Sequence, residues 1–253
     1  MQHAMITAGS KGLGKKVTEA LLRKGCSVTV NYRSDVEAVE KLKREFSDVG
    51  KRLHFVQGDV TKKEDIERMM NEVKEKFGRI DFLINNAGPY IFERKKLADY
   101  STDEWDEMIN GNLSSVFHLV KEAIPLMRKQ KFGRIITYGF QGAGTAPGWI
   151  YRSAFSAAKV GLVSLTKTIA IEEAEHGITA NMICPGNILG EMKEASICDA
   201  RKMNDGTITP IGRSGTGEDI ARTILFLCEQ DSDMVTGSII EVTGALDVVH
   251  RYR

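Results

Sequence analysis

The sequence predicts a single α/β domain, a parallel sheet of seven strands doubly wound by helices on both faces. Three observations point there. Short apolar or β-branched runs alternate with helical stretches some seven times along 253 residues, and such alternation calls for crossover connections and a parallel sheet. No composition break, internal repeat, low-complexity tract or charge block marks a linker, and the length suits one large domain. A glycine-rich turn also stands between the first strand and the first helix, in the stretch AMITAGSKGLGKK.

Residues 4–7 read as a short buried strand. Gly9, Gly12 and Gly14 then open a tight turn, and Leu13, Val17, Ala20 and Leu21 recur at helical spacing. Strand, glycine turn and helix in that order make a seat for a phosphate. Glycine lets the backbone approach closely, and the unpaired N–H groups of the first helical turn face the negative charge. Gly25 is placed to end this helix, and Ser27–Tyr32 is a β-branched strand. A helix is expected over 35–46, a strand over 53–56, and a helix over 62–77 that Gly78 stops. The apolar strand 80–84 leads into Asn85-Asn86-Ala87-Gly88. A long helix over 102–129 carries Asn112 near its middle. The strand 134–138, a long helix over 150–175 and strands 178–183 and 238–242 complete the pattern, with helices between the last two.

In doubly wound sheets ligands bind beyond the carboxyl ends of the strands, at the switch point of the strand order. The segments 9–14, 86–88, 139–144 and 185–190, and Asp59, all follow strands. They should gather along one edge, so a single cleft is expected.

Bulk properties exclude several classes. Lys and Arg number 35 against 34 Asp and Glu, a formal charge of +1, so no bulk field draws the chain to nucleic acid or a membrane surface. No apolar run approaches the ~18 residues of a membrane span. The first strand starts within a few residues of Met1, leaving no room for a signal peptide, and a cytoplasmic location is expected. Cys26, Cys184, Cys198 and Cys228 are scattered and read as reduced, mostly buried thiols. No spacing of His, Cys and Asp suggests a metal, and no Ser–His–Asp arrangement suggests a hydrolase. The expected partner is a small-molecule substrate.

The cofactor can be narrowed further. Enzymes that take the unphosphorylated dinucleotide usually place an acid at the end of the second strand. Here that place reads Asn31-Tyr32-Arg33-Ser34. Arg33 can pair with a 2′-phosphate, and Lys11 in the glycine turn is a second cation within reach, which favours NADP over NAD. The plainer reading of both is solvated surface charge. Asp59 could accept from an adenine amino group or cap the following helix.

These residues resemble the short-chain dehydrogenases/reductases, a family of the Rossmann type, over nearly the whole chain. Thr7-Ala8-Gly9-Ser10-Lys11-Gly12-Leu13-Gly14 matches the family's T-G-x-x-x-G-x-G, with Ala8 for the first glycine. Asp59-Val60 looks like its adenine contact, and Asn86-Ala87-Gly88 completes its N-N-A-G. Asn112 falls at its helix asparagine, Lys159 at its active-site lysine, and Pro185-Gly186, followed by Ile188, at its P-G turn. The likeness is greatest to bacterial 3-oxoacyl-acyl-carrier-protein reductases, in Thr209-Pro210-Ile211-Gly212-Arg213-Ser214-Gly215 and Glu218-Asp219-Ile220-Ala221. The resemblance implies that the glycine turn cradles a pyrophosphate, that Lys159 binds the ribose and lowers a neighbouring pKa, and that Asn112 fixes a water chain. It implies a homodimer or homotetramer formed on the two long helices, and a substrate lid at about 187–212.

The family's serine and tyrosine do not carry over. The position four before Lys159 is Phe155, and alignment from Gly133-Arg134-Ile135-Ile136 puts the serine at Phe140. A phenyl ring cannot give or take a proton, and general acid catalysis is worth on the order of 10²–10⁴ in rate. Tyr151, eight before Lys159, is the first candidate for a substitute donor. Tyr138, read as two before Phe140 on one strand face, Tyr90 after the N-N-A-G loop, and a water held by Lys159 and Asn112 are the others. Each tyrosine has a plainer reading as a packing or rim residue.

Other features leave the substrate open. Gly190 stands where the family often has a threonine, and Thr243-Gly244-Ala245 replaces its Asp-Gly-Gly. The cluster Arg128, Lys129, Lys131 and Arg134 could dock an acidic carrier, although Glu172, Glu173, Glu175 and His176 lie where such an enzyme prefers cations. A solvated charged face accounts for both, and His118 reads as a packed residue. Two functions follow. One is an NADP-dependent oxidoreductase moving hydride to a carbonyl or activated C=C, with an acyl thioester in view. The other is a dinucleotide-binding sensor or partner subunit with little turnover.

Overall fold

The computed structural model describes residues 1–203 and 209–247. Seven parallel strands are β1 (His3–Ile6), β2 (Ser27–Tyr32), β3 (Leu53–Gln57), β4 (Phe82–Asn85), β5 (Gly133–Tyr138), β6 (Ile178–Pro185) and β7 (Ile239–Val242). They lie in the order β3-β2-β1-β4-β5-β6-β7. β1 pairs on one side with β2 (Ala4 beside Val28) and on the other with β4 (Ala4 beside Phe82). The connections leave β1 and β4 in opposite directions, which opens a crevice at their carboxyl ends.

Helices α1 (Gly12–Arg23), α2 (Val36–Glu45), α3 (Lys63–Phe77), α4 (Thr102–Ile109), α5 (Ser115–Gln130), α6 (Ser153–Glu172), α7 (Ile197–Lys202) and α8 (Gly217–Leu227) connect them. Strands buried on both faces read as continuous apolar runs, and β1 shows why. Met5 points into a core that holds Leu83, Ile135, Leu119 and Leu162. Its neighbours Ala4 and Ile6 point into the opposite core with Leu21, Val28, Ile84 and Ile224. Each fully buried aliphatic side chain contributes about 1.5–3 kcal/mol relative to exposure.

Three local differences from the sequence expectation have physical causes. The long helix over 102–129 is broken by a π turn, Asn110–Ser114. The Asn112 amide there donates to Met108 O at 3.1 Å and to Pro89 O at 3.0 Å, pulling the helix onto the loop after β4. The helix expected from 150 starts at Ser153, because Tyr151 has φ +64°, which an α-helix cannot accommodate. Although no membrane-length apolar run was expected, α6 is long and apolar enough to cross one by length and composition. It is the inner helix of the fold, with Ala158, Leu162 and Ile169 in the core.

Ser101, Thr216 and Asp35 cap α4, α8 and α2 through their side chains. Lys11, at the start of α1, makes no such cap, and the first turn of that helix carries no acidic residue.

Candidate active site

A cavity of about 420 Å³ opens at the carboxyl ends of β1 to β4. Ala8, Lys11, Asn31, Arg33, Asp59, Val60, Ala87, Gly88 and Tyr90 line it with Gly58, Thr61, Pro89 and Glu107. The topology thus brings together the glycine turn, the end of β2, the Asp59-Val60 pair and the N-N-A-G loop. Pro185 ends β6, Gly186 and Ile188 follow it, and none of the three lines this cavity. Gly186 N–H donates to Val242 O at 3.0 Å, and Ile188 N–H to Gly186 O at 3.0 Å.

The glycine turn is fixed from both sides. Asn86 Nδ2 donates to Thr7 O and Ala8 O, each at 3.1 Å, and Ala87 N–H donates to Thr7 Oγ1 at 2.9 Å. A Cβ at Gly14 would stand 2.4 Å from Ala8 O and 2.6 Å from Asn86 Nδ2, so only glycine fits. Ala8 takes the left-handed conformation, φ +49°, where glycine is at ease and alanine is strained. Ser10 is buried, and Leu13 packs against the core beside α1. Asn31, which the sequence reading passed over, accepts from Ala8 N–H at 3.2 Å and donates to Gly58 O at 2.9 Å. A polar residue near the end of a buried strand was its only sequence signal.

The α1 N-terminus is met by a carboxylate from far along the chain. Gly12 N–H donates to Glu194 Oε1 at 2.8 Å, and Lys15 Nζ lies 3.3 Å from Glu194 Oε2. Against the opposing effect of burial, that N–H and Lys15 hold the Glu194 carboxyl below its ordinary range. Glu194 falls in the segment expected as a lid, 187–212, of which residues 204–208 lie outside the described residues.

The two cations proposed for a 2′-phosphate face the cavity and have acidic neighbours. Lys11 Nζ pairs with Asp35 Oδ2 at 2.7 Å, and Arg33 stands 4.0 Å from Asp59 Oδ2. Asp59 Oδ1 accepts from Thr61 N–H at 2.9 Å and Thr61 Oγ1 at 2.8 Å, a local turn before α3, while Asp59 also lines the cavity.

Lys159 on α6 is buried, and desolvation lowers its pKa to about 8. A Cβ at Gly88 would stand 3.7 Å from Lys159 Nζ and 2.3 Å from Asn112 Oδ1, so amide and amine flank the same loop. Asn112 Oδ1 is buried without a hydrogen-bond partner, an acceptor left for a donor. Near Lys159, burial pushes the Cys184 thiol up to about 12. All four cysteines are unpaired, and among the described residues no cluster could hold a metal.

Phe155 and Phe140 stand where the family's tyrosine and serine were expected, and their rings cluster. Lys159 Nζ lies 5.6 Å over the Phe155 ring. Phe140 is 4.9 Å from Trp149 and 6.2 Å from Phe155 between ring centroids. The three candidate tyrosines part ways. Tyr151 packs under the Arg94 guanidinium at 5.1 Å, and its carbonyl accepts from Tyr100 Oη at 3.2 Å. Tyr138 faces the opposite core from Phe140, correcting the shared-face expectation, because β5 ends at Tyr138 and the chain turns at Gly139. Its hydroxyl is buried without a partner, and burial pushes the phenol above its ordinary value. Tyr90 lines the cavity and meets Phe155 edge to face at 4.9 Å.

Comparisons with known proteins agree with this architecture. A family model described as enoyl-(acyl carrier protein) reductase matches residues 7–246. The candidate oxidoreductase YtkK of Bacillus subtilis (strain 168) is 70% identical over 251 residues, covering 99% of this chain and 98% of that protein. The 3-oxoacyl-(acyl-carrier-protein) reductase FabG of Haemophilus influenzae is 36% identical over 244 residues, 96% and 97% of the two chains. The solved structure of a candidate 3-oxoacyl-reductase from Bacillus thuringiensis superposes with TM-score 0.93 at 68% identity, covering 99% and 100%. That of ElxO with NADP bound superposes with TM-score 0.83 at 30% identity, covering 96% and 97%. With the sheet order, the glycine turn and the Asn112–Lys159 pair in place, the chain belongs to the short-chain dehydrogenase/reductase family of oxidoreductases.

Proposed function

We propose that this protein is an NADP-dependent oxidoreductase that reduces a carbonyl or an activated C=C bond of a 3-oxoacyl-like substrate, an acyl thioester among them. The observation that carries the reading is Lys159, buried at low charge stability beside the unpartnered Asn112 Oδ1 and the Gly88 backbone. Burying an amine without a carboxylate partner is costly, and such a group is kept where a ligand or reaction uses it.

The residues present suit a dinucleotide. The α1 N-terminus and the crowded glycine turn suit a pyrophosphate, Lys11 and Arg33 a 2′-phosphate, and Lys159 the ribose hydroxyls. When bound, the reduced dinucleotide supplies two electrons and one hydrogen. The chain's own residues would hold the substrate against it: Trp149 and Phe155, partly buried and backed by the core residue Phe140, suit an acyl chain. Lys159 and Asn112 support an ordered water between them.

A homodimer or homotetramer on the outer faces of α4, α5 and α6 belongs to the same proposal, supported by exposed Trp105, Phe117 and Ile171 on those helices. A cytoplasmic setting is proposed with it. The loss of both hydroxyls at Phe140 and Phe155 favours a second reading, a dinucleotide-binding sensor or partner subunit.

Fluorescence titration with NADPH, followed by a screen of acetoacetyl-CoA and crotonoyl-CoA for loss of nicotinamide absorbance, separates the two. Binding with turnover supports the enzyme, and binding with silence across the panel supports the sensor. Phe155→Tyr combined with Phe140→Ser should raise acetoacetyl-CoA reduction if the pocket keeps the family geometry.

A further inference from the structure

We infer that Tyr90, held by Arg152, is the group that gives the proton in the proposed reduction. The inference rests on the oxidoreductase reading and names the residue that reading lacks.

Tyr90 is the hydroxyl-bearing ring that the fold sets against Phe155, at 4.9 Å and edge to face, and it also lines the cleft. Phe155 in turn lies under Lys159 Nζ at 5.6 Å. The phenol therefore stands one ring away from the position where the family keeps its own.

Arg152 fixes that placement. Its Nε donates to Tyr90 Oη at 2.5 Å, and its guanidinium carbon lies 5.0 Å over the Tyr90 ring. Three of the four remaining guanidinium hydrogens go to carbonyls: Glu93 O and Tyr151 O at 2.8 Å and Phe92 O at 3.1 Å. One side chain thus ties the loop after β4 to the start of α6. None of these acceptors is a carboxylate, so the positive charge is directed at the phenol rather than cancelled by an ion pair. Tyr90 Oη accepts from Arg152 and keeps its own hydrogen to give. A cation held at hydrogen-bond distance stabilises the negative oxygen left behind.

The step balances. The reduced dinucleotide, when bound, would supply the substrate carbonyl carbon with a hydride (one proton and two electrons) and would itself become the nicotinamide cation. The C=O π pair moves to oxygen, which forms its new O–H bond with the Tyr90 proton. The Tyr90 O–H bond breaks with its electron pair left on the phenoxide oxygen, and a hydronium proton from solvent restores the phenol. Lys11, Arg33, Asp59 and Glu107 line the same cavity.

The test uses the purified full chain, NADPH and acetoacetyl-CoA, with crotonoyl-CoA alongside. Tyr90→Phe should lower acetoacetyl-CoA turnover by about 10²–10⁴-fold, while the NADPH dissociation constant from fluorescence stays within about twofold and the melting temperature is kept. Crotonoyl-CoA reduction should fall less, because an activated C=C needs its proton only late. Arg152→Gln should lower kcat for acetoacetyl-CoA in the same direction. Tyr151→Phe should cost less than Tyr90→Phe.

Tyr90→Phe turning over acetoacetyl-CoA like the wild type overturns the assignment and leaves the oxidoreductase reading standing, as does Tyr151→Phe costing more. Wild-type protein that binds NADPH and reduces nothing in the panel overturns both. A Tyr90→Phe chain that unfolds is replaced by Arg152→Gln, whose unchanged kcat would equally overturn the assignment.

Discussion

Glu194 makes a prediction that can be worked from the geometry. Its carboxylate accepts from Gly12 N–H at 2.8 Å, at the helix end where the proposed dinucleotide would bring its pyrophosphate. Two anions cannot share that N–H, so the cofactor must displace the side chain. A hydrogen bond to a charged group nets about 1.5–3 kcal/mol. Glu194 is 37% exposed on its side chain, which argues for the lower end of that range. Lys15 loses little on release, since it keeps Glu45 at 2.9 Å and Glu19 at 3.5 Å. Glu194→Ala should therefore tighten NADPH binding by close to 1.5 kcal/mol, roughly tenfold. Glu194→Gln, which removes the charge but can still accept, should give a smaller gain. Fluorescence titration at two salt concentrations reads both, and the gain should shrink as salt rises. Unchanged or weaker NADPH binding in Glu194→Ala would refute the reasoning, placing the carboxylate beside the phosphate path rather than in it.

Three more outcomes are expected. Ala8→Gly relieves a left-handed alanine, worth about 1–2 kcal/mol, against about 0.4–1 kcal/mol of added unfolded-state entropy. Calorimetry should show a rise in melting temperature of roughly 1–3 °C. Lys159 titrates near 8 in the folded chain against 10.5 ordinarily, so the unfolded chain binds the extra proton between these values. The stability of wild type minus Lys159→Met should rise with pH across that window and be lowest below it. Taking the difference removes the buried Cys184, Cys228 and Tyr138, which work in the opposite sense. Arg33→Glu should cut the preference for NADPH over NADH by about tenfold or more, the worth of one charge-assisted contact. Parallel titrations with the two cofactors measure it.

The legible parts of this chain were those set by local chemistry. Gly14 could be read from sequence because a tight turn beneath a helix excludes a side chain, Asn86 because it follows a strand, and Lys159 through the family resemblance. What escaped depended on chain paths between elements. Each side of the π turn at Asn112 keeps ordinary helical spacing, so the periodicity within either half does not reveal it. Tyr138 was misplaced because period two holds only while the strand lasts, and this strand stops there. Glu194 and Arg152 carry no local signal, since each acts on a segment far away in sequence: Gly12 in one case, Tyr90 in the other.

The interruption between α4 and α5 also sets limits on how this protein can vary. Each residue turns an α-helix by about 100°, so the added residue fixes the phase of everything after it. Leu119, Val120, Ala123 and Met127 reach the core from that rotated register. Winding 110–114 into a regular α-helix with every residue kept would swing the whole stripe by about 100° toward solvent, whereas excising one residue would give a smooth helix with the phase preserved. Point changes can erase the amide that faces the cleft while leaving the residue count of the turn, and so the phase of α5, unchanged.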